Sequence, residues 1–171
     1  GGSVAHGDPA SDLPSVLLAL DADFVVRGSG GERTVAARDF FQDYLQTALA
    51  PDEVLTEIRV PKLGPNAGWA YQKFNRRAQD WAVVGVAAVV ERQNGSISSA
   101  RVGLTNMGST PLRASAVESA LSGADAGSVA EAAQSAAEGT SPASDIAASA
   151  EFRQHLARVL TRRALEEALS R

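Results

Sequence analysis

The apolar and polar positions divide the chain into a strand-rich first part, a second strand-rich part and a helical end. Phe24-Val25-Val26-Arg27 is a short β-branched run, Gly28-Ser29-Gly30-Gly31 turns the chain, and residues 32–36 are expected to pair back. Residues 53–60 alternate as a strand, with Val54, Ile58 and Val60 on one side and Glu53, Glu57 and Arg59 on the other. Three further strands are predicted over 68–75, 82–92 and 97–105. The last two flank Gln93-Asn94-Gly95-Ser96, and Asn-Gly favours a two-residue hairpin because both residues tolerate positive φ. An antiparallel meander follows from that turn.

Helical spacing accounts for most of the rest. Residues 1–9 are glycine-rich and polar and read as a loop, after which Asp12 can cap a helix over 13–20 with Pro14 in its first turn. Asp39 starts a second short helix carrying Phe40, Phe41, Tyr44 and Leu45. Residues 114–121 and 129–138 give two more. In the final segment Phe152, Leu156, Val159, Leu160, Leu165 and Leu169 recur on one face, with Arg153, Arg158, Arg162 and Glu166 outside. Two prolines and a glycine in residues 61–66 mark the best boundary, giving domains over 1–61 and 62–171. The expected class is α+β, the second domain being a small antiparallel sheet with helices packed on one face.

Composition narrows the chemistry. Aromatic residues make up only 5% of the 171, so the core has to be built from Val, Leu and Ala. A net charge of −4 with mixed signs and no basic block excludes a nucleic-acid partner. With no Cys, disulfides, thiolate catalysis and iron–sulfur ligation are excluded within this chain, which is compatible with a reducing cytoplasm. No apolar run approaches the roughly 20 residues of a transmembrane helix, and the first residues do not read as a signal peptide.

The candidate site residues lie in two segments. His6 and His155 are far apart and offer no metal-ligand spacing. Ser3, His6, Asp8 and Asp12 crowd into one stretch, but a hydrolytic triad needs side chains converging from separate rigid elements, and no Gly-x-Ser-x-Gly elbow exists. The same stretch could instead grip a cofactor. Gly1 and Gly2 let backbone approach a ligand, while Ser3, His6 and Asp12 could hydrogen-bond a polyhydroxyl chain or an adenylate. The second segment, residues 72–82, puts Gln72, Arg76, Arg77, Asp80 and Trp81 at a strand junction, where the indole could cover a flat conjugated ring. Solvated charges and a half-buried Trp are the plainer reading. The 28–31 glycines read as a turn, since neither a helix start nor a P-loop Lys follows.

Taken together and in order, these segments are more specific. Residues 1–14, Gly-Gly-Ser-Val-Ala-His-Gly-Asp-Pro-Ala-Ser-Asp-Leu-Pro, resemble the second FAD loop of the flavoprotein (medium) subunit of the xanthine dehydrogenase and carbon monoxide dehydrogenase family. That loop runs Thr-Ile-Gly-Gly, a polar stretch, Asp-Pro and Asp-Leu-Pro. The register continues through Glu53-Val54-Leu55, Arg76-Arg77 to Asp80-Trp81-Ala82, Pro111-Leu112-Arg113-Ala114, Asp145-Ile146, Glu151-Phe152-Arg153 and Arg162-Arg163-Ala164-Leu165. It also favours Gly1-Gly2-Ser3 as native sequence over a vector scar.

The resemblance implies the C-terminal half of a vanillyl-alcohol-oxidase-type FAD-binding domain, followed by the family's C-terminal flavoprotein domain. It implies FAD, contacted by Gly1, Gly2 and Ser3 near the diphosphate, by His6 and Asp12 along the ribityl or adenylate side, and by Leu55 near the ring. Asp80 and Trp81 would neighbour the isoalloxazine, and Gln72 stands where relatives often carry Lys. No catalytic base is expected, because the cofactor carries the redox chemistry. The implied partners are a 2Fe-2S small subunit and a large subunit with the molybdenum cofactor, in a cytoplasmic complex that passes electrons through FAD to an acceptor. The family's first FAD loop is not among these residues, so a truncated form, weak in FAD binding and inactive alone, is expected. The alternative is a cofactor-free module that docks onto the iron–sulfur and molybdenum subunits.

Overall fold

The computed structural model describes residues 1–171. Where a loop was expected at the start, a short helix α1 (Gly2–His6) forms, closed by Gly7 at φ 68°. Glycines at its start disfavour it, but Val4 is completely buried, and that packing outweighs local propensity. Helix α2 (Asp12–Ala19) follows close to the expected span, but Ser11 stands at the cap and Asp12 is the first helical residue; then come the hairpin strands β1 (Asp23–Gly28) and β2 (Gly31–Ala36). The helix expected from Asp39 is cut to α3 (Ala37–Phe40) and gives way to a hairpin of β3 (Phe41–Asp43) and β4 (Gln46–Thr47). The cause is a cluster of three phenyl rings. Phe24, Phe40 and Phe41 meet edge to face at centroid distances of 4.6, 6.0 and 5.2 Å, and the chain turns at Leu45 (φ 55°), leaving Tyr44 and Leu45 exposed.

Strand β5 (Val54–Arg59) completes a three-stranded antiparallel sheet in the order β2-β1-β5. Its core-facing residues are Leu55 and Ile58, while Val54 and Val60 are exposed. The expected alternation fails because the register shifts opposite Val25 and Val26, pairing Val25 with Glu57 and Val26 with Leu55. The extra residue, Thr56, reverses the faces of the strand around it.

The second sheet is the expected meander, β6 (Ala67–Phe74), β7 (Val84–Gln93), β8 (Ser96–Thr105) and the short β9 (Leu112–Arg113). Helices α4 (Ser115–Leu121), α5 (Val129–Ala132) and α6 (Ala150–Ser170) pack on one face, as the α+β expectation has it; 3-10 turns at Ala126–Ser128 and Ala133–Ala137 flank α5. The helix expected over 129–138 is thus only partly α-helical. Helix α2 covers the opposite face, which the sequence did not announce. On this side a Cβ at Gly103 would run into the Ser15 carbonyl, and on the other a Cβ at Gly68 would run into that of Ala168. Buried on both faces, β7 reads as a continuous apolar run from Val84 to Val90.

The apolar face of α6 includes one residue expected outside. Arg153 is 1% exposed, its guanidinium donating to the Val83 carbonyl and pairing with Asp145 at 2.7 Å. Phe152 sits at the margin instead, edge-on to Phe74 and stacked on exposed His155. No helix is long and apolar enough to cross a membrane.

Candidate functional site

Asp12 is the first residue of α2, and Tyr71 and Lys73 lie two apart on β6, on the face that α2 covers. The Tyr71 hydroxyl donates to Asp12 Oδ1 and the Lys73 ammonium donates to Oδ2, each at 2.9 Å. One carboxylate therefore joins the N-terminal helices to the meander. Burial pushes the Tyr71 phenol above its ordinary value; the nearby Thr105 hydroxyl opposes this and the Asp12 charge adds to it. Tyr71 is thus a protonated donor throughout the neutral range.

Asp12 and Lys73 line a cavity of about 300 Å³ together with Ser3 from α1, the 10–13 segment, and Gln79, Asp80 and Trp81 from the loop between β6 and β7. That loop bends at Gln79, whose φ is 63°, and Asp80 forms an ion pair with Arg77 at 3.6 Å. The bend presents the Trp81 indole, 59% exposed, to the cavity wall. Asp80 and Trp81, with Ala10, also line a larger cavity of about 630 Å³ beyond them, whose other residues include Tyr44, Arg76, Asn106, Asp145 and Arg153. The two hollows adjoin, sharing Ala10, Asp80 and Trp81 in their linings.

Of the residues singled out from sequence, Ser3, Asp12, Asp80 and Trp81 converge on the smaller cavity. Gly1 and Gly2 precede Ser3 on exposed backbone, with no atom within 4 Å of a built Cβ. His6 is exposed at the end of α1 and does not line the cavity; Leu55 is half-buried against the first core. Gln72 points to the other face of the meander, where its amide donates to Glu167 at 2.7 Å. Sequence reasoning missed Lys73 and Tyr71. Strand alternation carried the signal, since residues 71 and 73 share one face and 72 the other. The 28–31 turn encloses an acidic hollow, where Ser29 donates to Asp52, and no cradle for phosphate forms. No three His, Asp or Glu side chains gather as a metal-holding group.

Comparison with known proteins gives two family matches, together spanning most of the chain. Residues 69–168 match the CO dehydrogenase flavoprotein C-terminal domain, and residues 1–63 match the FAD binding domain in molybdopterin dehydrogenase. The carbon monoxide dehydrogenase medium chain of Hydrogenophaga pseudoflava is 38% identical across all of this chain and 60% of its own length. The 6-hydroxypseudooxynicotine dehydrogenase complex subunit alpha of Paenarthrobacter nicotinovorans is 35% identical, with 100% and 59% covered. Among solved structures, a carbon monoxide dehydrogenase from H. pseudoflava superposes with a TM-score of 0.96 at 41% identity, covering 99% of this chain and 60% of that one. Quinoline 2-oxidoreductase from Pseudomonas putida 86 superposes at 0.90 with 33% identity, over 99% and 60%. The chain thus spans about 60% of the length of these curated relatives.

Proposed function

This chain belongs to the CO dehydrogenase flavoprotein (medium-subunit) family of the molybdenum hydroxylases, and we propose that it forms part of a subunit that holds FAD between a 2Fe-2S partner and an electron acceptor. The observation that carries the reading is the shared concavity. Ser3 and residues 10–13 share its lining with Lys73 and residues 79–81, distant in sequence, so that a cation, two carboxylates, two hydroxyls and an open indole stand on its walls.

The donor set fits a dinucleotide. The exposed backbone of Gly1 and Gly2 and the Ser3 hydroxyl suit diphosphate oxygens, the Asp12–Lys73 pair suits a chain that both donates and accepts, and Trp81 suits a flat ring. His6 and Leu55 would reach only parts of the cofactor outside the cavity, and Gln72, bonded to Glu167 on the far face of the meander, would not touch a ligand in it. Bound FAD supplies the electron-carrying chemistry. The chain's residues bind and orient it, and the walls formed by Ala10, Leu13 and Trp81 exclude water from part of its surface. A boundary at 61/62 would separate a partial FAD-binding domain from the C-terminal flavoprotein-like domain. The partners would be a 2Fe-2S small subunit and a molybdenum-containing large subunit in the cytoplasm, with substrate chosen on the large subunit.

A second reading, a cofactor-free docking module, draws on Ile146. It is 99% exposed although its loop is tied down by Asp145, whose carboxylate accepts from the amides of Ala147 and Ala148, and by Arg76, which donates to the Ile146 carbonyl. Expression of the full native polypeptide that carries this chain, beside residues 1–171 alone, separates the readings. Yellow protein with flavin absorbance is expected for the full polypeptide. Colourless protein that still captures the iron–sulfur and molybdenum subunits would favour docking alone.

A further inference from the structure

Tyr71 bonds a residue of the cavity wall, Asp12, yet does not itself line the cavity. Its hydroxyl crosses β7 at Gly85, where an added Cβ would lie 2.5 Å from the Tyr71 oxygen and 3.0 Å from Thr105 Oγ1. The missing side chain leaves room for both hydroxyls over the strand. Thr105, completely buried, lies over the same glycine and shares a hydrogen bond with the buried Ser15 hydroxyl of α2. A charged carboxylate can only accept, so the Tyr71 proton is directed to Asp12 Oδ1. Lys73 occupies the other oxygen. The carboxylate is therefore gripped once on each oxygen, and its remaining lone pairs, like the remaining N–H groups of Lys73, are free for the cavity they line.

We infer that Tyr71, seated over Gly85 and backed by Thr105, is a positioning residue that orients Asp12 and Lys73 toward a bound flavin dinucleotide. The inference rests on the FAD reading of the cavity. A positioned acceptor and donor lose less freedom on binding than two mobile side chains, and the gain appears as affinity. Burial serves the same end by keeping the phenol protonated, so the grip holds across the neutral and mildly alkaline range.

The test uses Tyr71→Phe, which keeps the ring and removes only the hydroxyl, in the full native polypeptide. FAD is titrated into the apo form and followed by flavin fluorescence. Tyr71→Phe is expected to weaken binding by roughly tenfold, the effect of one hydrogen bond to a charged group. In an Asp12→Asn background the same change should cost little more, because Tyr71 acts through Asp12. A second, ligand-free readout is the crystal structure of Tyr71→Phe, in which the Asp12 carboxylate should have turned from its present place. Wild-type affinity in Tyr71→Phe, a full additional loss on top of Asp12→Asn, or an unmoved Asp12 would each overturn the role of Tyr71 alone. A wild-type polypeptide that takes up no FAD overturns the flavin reading of the site, and this role with it.

Discussion

The guanidinium of Arg153 meets the carboxylate of Asp145 at 2.7 Å, with the Arg side chain 2% exposed and the Asp side chain 48% exposed. The pair joins the first turn of α6 to the loop that carries Ile146. Through the Val83 carbonyl it also reaches the strand that follows Trp81. Burial works against the charged form of Asp145, but the amides of Ala148 and Ala147 and the Arg153 charge outweigh it and hold the carboxyl below its usual range. One wall of the larger cavity is thus anchored by a cation whose Nε has no partner of its own.

Replacing Arg153 with Ala should therefore destabilise the protein by about 2–5 kcal/mol, since it empties a buried site and leaves the Val83 carbonyl only the longer bond from Asn106 at 3.4 Å. Urea denaturation of the purified protein measures this. A loss below about 1 kcal/mol would mean that the guanidinium's desolvation cancels what the pair contributes.

Asp12→Ala should lower FAD occupancy of the full polypeptide, with a loss of about 1.5–3 kcal/mol typical of a hydrogen bond to a charged group, or roughly 10–150-fold in affinity. Absorbance of the purified protein gives the occupancy. Unchanged occupancy would leave Asp12 with a structural part only, as the link between α2 and β6.

Trp81→Ala removes an exposed indole that touches no core cluster, so thermal stability should move little. Flavin fluorescence, by contrast, should change if the ring lies against the indole. Spectra and cofactor potential identical to wild type would return Trp81 to a surface role.

Acid stability should carry the imprint of Glu53. Its hydrogen bond from Arg33, helped by the Ala50 amide, lowers its carboxyl from 4.5 to about 2. A depressed folded value stabilises the native state above the unfolded value, and that contribution is lost as pH falls from about 4.5 through about 2. Glu53→Gln should flatten the fall in melting temperature across this window and leave the rest of the acid limb in place. A profile that still falls as steeply between those values would assign the loss to other carboxylates.

Much of the architecture could be read from local pattern. The hairpin at Asn94-Gly95, both at positive φ, formed where the dipeptide required it, and the three long strands of the meander fall within two residues of their expected ends. The final helix was legible because a long run of apolar residues repeats at one spacing. Errors fell where distant packing overruled local signals. Val4 turned a glycine-rich loop into a helix, three phenyl rings ended α3 early, and a bulge at Thr56 reversed the faces of β5.

The site divides along the same line. Order and spacing of residues in the two segments, with the family resemblance, pointed to Ser3, Asp12, Asp80 and Trp81 before any coordinates, because motif residues stay readable in one dimension. Sequence alone could not choose between Gln72 and Lys73. That choice depends on which face of β6 meets α2 and which meets α6, and pairing register fixes it only when both helices dock. Nor could it show Tyr71 lying over Gly85, a contact between neighbouring strands that no local pattern encodes. The sequence determined the elements and the chemical types available, since propensity and periodicity act over a few residues. The tertiary structure decided which of those groups meet, because a hydrogen bond across 61 positions exists only once the layers have packed.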